Sequence, residues 1–238
     1  MPRPALLPAL LSVCLLSLGA AQSAAAQARR PVVVELFTSQ GCAACTTSNT
    51  LVADLAERRD VIALTFPVDY WAYLGWKDTF AKPQFSARQR GYQKALGLRE
   101  VYTPQLVVDG AAQMGKASPE MALEMIKGAA KAHPPAPAMS LARRRLSVGT
   151  GRAPKGGAEV WLVRYEGQPQ ETEVKDGENR GLNVVYRNVA RDLVRLGSWT
   201  GKDRAYRLPE HSDEDADLKT LILLQSKTNG RILGVLKP

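Results

Sequence analysis

The chain has 238 residues, a formal net charge of +9, three cysteines and two histidines. With 45% apolar residues it has the composition of a folded globular protein, which excludes a low-complexity or disordered chain. Lys and Arg are spread along the sequence with one short run, Arg143 to Arg145, and no nucleic-acid-binding motif beside it, so the surplus reads as a solvated basic surface with no nucleic-acid partner.

The chain opens MPRPALLPALLSVCLLSLGAAQSAAAQARR. An early Arg3, an apolar core from Ala5 to Leu18 and the small residues Ala24-Ala25-Ala26 read as a secretory signal over residues 1–26. That core falls short of the roughly 20 residues a spanning helix needs, so no stable membrane span is expected after cleavage. The expected product is periplasmic or secreted and begins near Gln27. It loses Cys14 and keeps Cys42 and Cys45.

PVVVELF, residues 31–37, is a β-branched apolar run of the kind that forms a buried strand. Thr46 to Arg59 places Leu51, Val52 and Leu55 on one helical face, and VIALTFPV, residues 61–68, predicts a second strand. Strand, helix and strand with short links predict a βαβ unit with parallel strands. The stretch ELFTSQGCAACTTSNT therefore puts both cysteines where the first strand hands over to the helix. Helix amides and the helix dipole favour an anion there and acidify a thiol. Cys42 is the candidate nucleophile and Cys45 the resolving thiol one turn behind. Glu35 is costly to bury in an apolar strand unless it is protonated or partnered. It reads either as a proton carrier for Cys45 or as a strand-end side chain facing water.

Asp69 to Gly110 follows, with Tyr70, Trp71 and Trp76 closely spaced. These aromatics are candidates for a substrate groove, or else the packing of an inserted helical cap. Residues 83–96 carry a helical pattern with Phe85, Tyr92 and Leu96 inward and Arg88, Arg90 and Lys94 outward. In VYTPQLVVDG, Pro104 opens a strand and the Asp109-Gly110 pair turns it into AAQMG. Ser118 then caps an amphipathic helix with Pro119 at its first position.

A CxxC at a helix start, a Thr-Pro directly before an antiparallel pair and a closing helix resemble the thioredoxin fold. More specifically, VVELFTSQGCAAC, VDYWAYLGWKDTF, RQRGYQKALGLREVYTPQLVVDG and the later GENRG resemble a secreted bacterial thioredoxin-like family catalogued as a domain of unknown function. The resemblance covers nearly the whole mature chain. It implies that the Thr103-Pro104 bond is cis and lies beside the two sulfurs, with the Thr103 backbone free to pair with an incoming peptide. Relatives often carry prolines after the second Cys and a His before VDYW; this chain has Thr46-Thr47 and Pro67 there.

A proline-rich spacer over residues 134–139 ends the first part, residues 31–133. Residues 140–238 carry short alternating runs with turn signals, the pattern of an antiparallel sandwich. The expected fold class is thus an α/β thioredoxin-like domain with a helical insertion, followed by an all-β domain. GENRG, residues 177–181, reads as a turn in which Glu178 pairs with Arg180, or as a ligand-contacting loop.

Three functions fit these residues. The first is an exported thiol-disulfide oxidoreductase whose site is Cys42, Cys45, Thr103, Pro104 and Glu35, with no cofactor. Its partners are cysteine-containing exported proteins and an unidentified redox partner. The second is soft-metal binding, of copper or zinc, by the same thiolates. Two cysteines make half a tetrahedral site, and His133 and His211 lie in or near linkers, so no metal site is assigned. The third is a binding protein whose CxxC is a structural disulfide, although so short a loop is a poor staple.

Overall fold

A computed structural model describes residues 30–210 and 217–238. The segment read as a signal, and His211, lie outside the described residues.

β1 (Val32–Thr38) and β2 (Val61–Pro67) run parallel, connected through a 3-10 turn (Ala43–Cys45) and α1 (Thr46–Ala56), so the expected βαβ unit is present. β3 (Gln105–Val108) lies antiparallel to β1, and β4 (Ala112–Met114) antiparallel to β3, giving the order β2-β1-β3-β4. Every residue of β1 and β2 is buried, as continuous apolar runs require when both faces of a sheet are covered. Side chains alternate across a strand. On one side Val32, Val34 and Leu36 pack with Leu51, Val52 and Leu55 of α1 and with Ala122 and Ile126 of α3 (Pro119–Lys131). On the other, Val33 and Phe37 join Phe85 and Tyr92 of α2 (Pro83–Ala95).

The second half supplies β5 (Met139–Ala142), β6 (Arg145–Val148), β7 (Ala158–Tyr165), β8 (Gln170–Glu173), β9 (Asn183–Tyr186), β10 (Ala190–Trp199), β11 (Arg204–Arg207), β12 (Lys219–Ser226) and β13 (Ile232–Leu236). They form a four-stranded sheet, β10-β7-β12-β13, a three-stranded sheet, β11-β6-β5, and the hairpin β8-β9. Val163, Tyr165, Leu221 and Leu223 of the larger sheet share one apolar cluster with Phe37, Phe85 and Tyr92, so the two halves are packed through a common core.

The expected fold class is corrected here. The described chain is mostly β, thirteen strands in four small sheets against three α-helices, without a clear α/β thioredoxin fold or a helical insertion. Two physical reasons account for the difference. Between β2 and β3 the only α-helix is α2, because Gly75 in a left-handed conformation ends the 3-10 turn Ala72–Leu74 and the chain to Pro83 is irregular. The later strands also partition into three sheets, of which the three-stranded one packs Leu146 and Val148 against Val160, Leu162, Ile222 and Leu224 of the four-stranded one, while the hairpin stands apart as a third.

The Asp109-Gly110 turn ties the halves together. Asp109 accepts the Val33 amide on its carboxylate at 2.8 Å, and its carbonyl accepts the Ile232 amide at 2.8 Å. Arg30 and His133 also reach that carboxylate, at 3.2 and 2.7 Å. Gly110 sits at φ +63°, and a Cβ there would come within 2.0 Å of the Gly230 carbonyl oxygen. Gly110→Ala is therefore expected to cost roughly 1–3 kcal/mol through forced displacement of the turn. Urea unfolding measures this, and an unchanged midpoint would refute the close approach.

Candidate functional site

The site begins where β1 stops. Thr38 donates its hydroxyl to Asn49 of α1 at 2.8 Å, anchoring the strand end to the helix. The chain then turns: the Cys42 amide donates to the Ser39 carbonyl at 3.1 Å and the Cys45 amide to the Cys42 carbonyl at 3.0 Å, which closes the 3-10 turn ahead of α1. Cys42 and Cys45 are joined as a disulfide, with Cα atoms 5.3 Å apart.

Three further elements converge on this turn. From the loop before β3, the Thr103 hydroxyl lies 3.5 Å from Cys42 Sγ, and the Thr103-Pro104 bond is cis. From the segment after β2, Trp71 Nε1 donates to the Thr103 hydroxyl at 2.8 Å, and Trp76 Nε1 donates to Gln40 Oε1 at 3.0 Å. From the loop between β8 and β9, Asn179 Nδ2 donates to the Gln40 carbonyl at 2.8 Å, and Glu178 Oε2 accepts the Ala43 amide at 3.2 Å. Thr103 thus touches Cys42 directly, Trp71 reaches it through Thr103, Trp76 holds Gln40 of the same turn, and Pro104 follows Thr103 in the chain. Tyr70 goes elsewhere: its hydroxyl donates to Gln89 of α2 at 3.0 Å, and burial pushes its pKa up to about 12.

Both cysteines are fully buried, at 0% exposure. Burial follows from the loops just named, which the turn meets on several sides.

Glu35 is also fully buried, and its partners come from α2. Its carboxylate accepts from Arg88 Nε and, at 2.8 Å, from Arg88 Nη2, and takes the Tyr92 hydroxyl at 2.6 Å. Arg88 was expected to face water; it is buried, and its guanidinium lies over the rings of Phe66, Tyr92 and Trp161 at 5.2 to 5.8 Å. Burial alone would depress the Arg88 pKa. The Glu35 charge, Tyr92 and their hydrogen bonds outweigh that and leave it raised. Burial likewise pushes the Tyr92 hydroxyl well above its ordinary range.

Sequence reasoning missed the support beneath the turn. Asp78 takes the Gln40 amide and the Tyr186 hydroxyl, both at 2.7 Å, and the Phe80 amide at 2.9 Å. Burial raises its carboxyl above the usual range, against the opposing pull of those donors. Glu178 was visible in GENRG, but its partner is Ala43, not Arg180.

A family model described as a protein of unknown function (DUF1223) matches residues 33–225. Among solved structures, a crystal structure of a protein from Agrobacterium tumefaciens is similar at TM-score 0.73 and 28% identity, covering 89% of this chain and 95% of that one. HBP35 of Porphyromonas gingivalis is similar at TM-score 0.59 and 13% identity, covering 88% of this chain and 75% of that one, a likeness of fold alone. A search of the curated proteins finds no match.

Proposed function

We propose that this chain, which belongs to the DUF1223 family of proteins of unknown function, exchanges disulfides with cysteine-containing exported proteins. The observation that carries this reading is the Thr103 hydroxyl 3.5 Å from Cys42 Sγ, beside a disulfide that opens a helix. A hydroxyl and helix-start amides both favour a sulfur anion.

In the oxidising direction a partner thiolate attacks Cys42 Sγ and the Cys42-Cys45 bond breaks. Cys45 leaves as a thiolate and takes up a proton. A second partner thiolate then attacks the partner's own sulfur in the mixed disulfide, releasing Cys42 and a partner disulfide. In the reducing direction the same steps run backwards, with Cys42 attacking and Cys45 resolving. The backbone at Thr103, just ahead of β3, is where an incoming strand would pair, with Trp71 bonded to the Thr103 hydroxyl beside it.

Thr103→Val removes the donor at Cys42 while keeping the side chain's shape. The loss of one hydrogen bond to a charged group, about 1.5 kcal/mol, is expected to slow exchange by about tenfold. Stopped-flow oxidation of a dithiol peptide at neutral pH measures this. An unchanged rate in a protein that demonstrably turns over would remove Thr103 from the site.

The burial of both cysteines favours a second reading, a structural disulfide in a binding protein. The decisive measurement is equilibration of the folded protein with glutathione buffers. A disulfide that titrates reversibly and passes electrons to a dithiol peptide supports exchange; one that resists millimolar reductant until the protein unfolds establishes the structural role.

A further inference from the structure

The loop between β8 and β9 carries a motif, GENRG, that the exchange chemistry above does not use. Its internal bonds preform it: the Arg180 amide donates to the Gly177 carbonyl at 3.2 Å, the Leu182 amide to the Asn179 carbonyl at 2.9 Å, and the Gly181 amide to the Val174 carbonyl at 2.8 Å. Gly177 and Gly181, at φ +78° and +81°, hold the left-handed conformations this tip needs. Gly177 also lies against Trp76, where a Cβ would come 3.5 Å from the Trp76 Cβ and 3.3 Å from the Leu74 carbonyl. The rigid tip thus presents two side chains to the cysteine turn. Asn179, buried at 2% exposure, holds the Gln40 carbonyl, and Glu178 holds the Ala43 amide, the first amide after Cys42.

We propose that Glu178 and Asn179 latch the hairpin tip onto the oxidised cysteine turn, and that Glu178 is a positioning residue which sets the redox poise of Cys42-Cys45. This rests on the exchange reading of the site. A neutral disulfide tolerates a carboxylate on the Ala43 amide. Reduction changes that, because a thiolate at Cys42 seeks the same helix-start amides and repels the carboxylate. Asp78 on the far side of Gln40, and Asp176 against Gly75 in the hairpin, add further acidic groups around the turn. The latch therefore binds the oxidised form better than the reduced form. By linkage it lowers the reduction potential of the pair by the same factor. It also shields sulfurs that are fully buried in the closed state.

The test uses the full mature chain with dithiothreitol and glutathione as the redox probes, and no protein substrate. In the reaction, dithiothreitol is oxidised to its cyclic disulfide, while the Cys42-Cys45 bond accepts two electrons and two protons. Glu178→Ala and Asn179→Ala are expected to speed reduction by about tenfold each, the size of one hydrogen bond to a charged or buried group. Glu178→Gln keeps an oxygen for the Ala43 amide but removes the charge. It is expected to shift the equilibrium with glutathione about tenfold toward the dithiol, about 30 mV for two electrons. Amides 176–182 are expected to exchange hydrogen faster in the reduced protein than in the oxidised one. A thermal melt of each oxidised variant checks that it is folded. Unchanged reduction rates and an unchanged glutathione equilibrium in folded variants would overturn the latch, as would resistance to reduction in wild type and variants alike. Failure of the exchange reading shows differently, as a latch that responds to these variants in a protein that never turns over a peptide.

Discussion

Glu35→Ala is expected to lower the unfolding free energy by about 3–5 kcal/mol, the cost of leaving a buried charge without its partner. The carboxylate is fully buried between β1 and α2, and Arg88 and Tyr92 both spend donors on it. Arg88 cannot follow its charge to water: Nη1 is bonded to Gln225 of β12 at 3.2 Å, and the guanidinium is stacked among aromatic rings. The reverse substitution, Arg88→Met, strands Glu35 in the same way. Replacing both with apolar residues of similar volume is expected to recover most of the loss, because desolvation of the pair offsets much of its attraction. Urea denaturation of the two single variants and the double variant forms a cycle that isolates the pair. A loss below about 1 kcal/mol in Glu35→Ala would show that the pair is solvated. The double variant also tests whether Glu35 carries protons for Cys45. If it folds but exchanges thiols more slowly, with a changed pH profile, Glu35 handles protons for Cys45; if exchange is retained, its role is to clamp the two halves together.

This pair shows where the chain's own pattern stops being informative. Helical periodicity puts Phe85 and Tyr92 on the inner face of α2, and the structure agrees. The same periodicity puts Arg88 outside, and there a partner 53 residues away wins, since a carboxylate in β1 can be buried only if a cation is buried with it. Local signals served well where the physics is local. Ser118 caps α3 by accepting the Met121 amide, Pro83 opens α2, and the Asp109-Gly110 pair turns β3 into β4. The assignment of strands to sheets is not local, so short alternating runs signalled β structure without revealing that the strands split into a four-stranded sheet, a three-stranded sheet and a hairpin. The site divides along the same line. Cys42, Cys45, Thr103 and Pro104 were legible from spacing and resemblance. The pairing of Glu178 was not, because its partner Ala43 lies 135 residues away and no periodicity links them.

Cys42→Ser is expected to abolish exchange to background, whereas Cys45→Ser is expected to leave a protein that attacks once and stays attached. Both variants lose the same disulfide. Its loop is so short that chain entropy assigns it only about 2 kcal/mol, and that loss is common to the two. Any difference between them is therefore chemical. With Cys45 replaced, nothing resolves the bond between Cys42 and the partner, so mixed disulfides accumulate and are seen as added mass on a non-reducing gel. With Cys42 replaced, the remaining thiol sits at the N-cap of α1, as buried as Cys42, and lacks the hydrogen bond from the Thr103 hydroxyl that steadies a thiolate at Cys42. If Cys42→Ser traps partners and Cys45→Ser does not, the attacking and resolving roles are exchanged. If both variants lose the same stability and neither traps anything, the disulfide is a staple, and the binding-protein reading takes over.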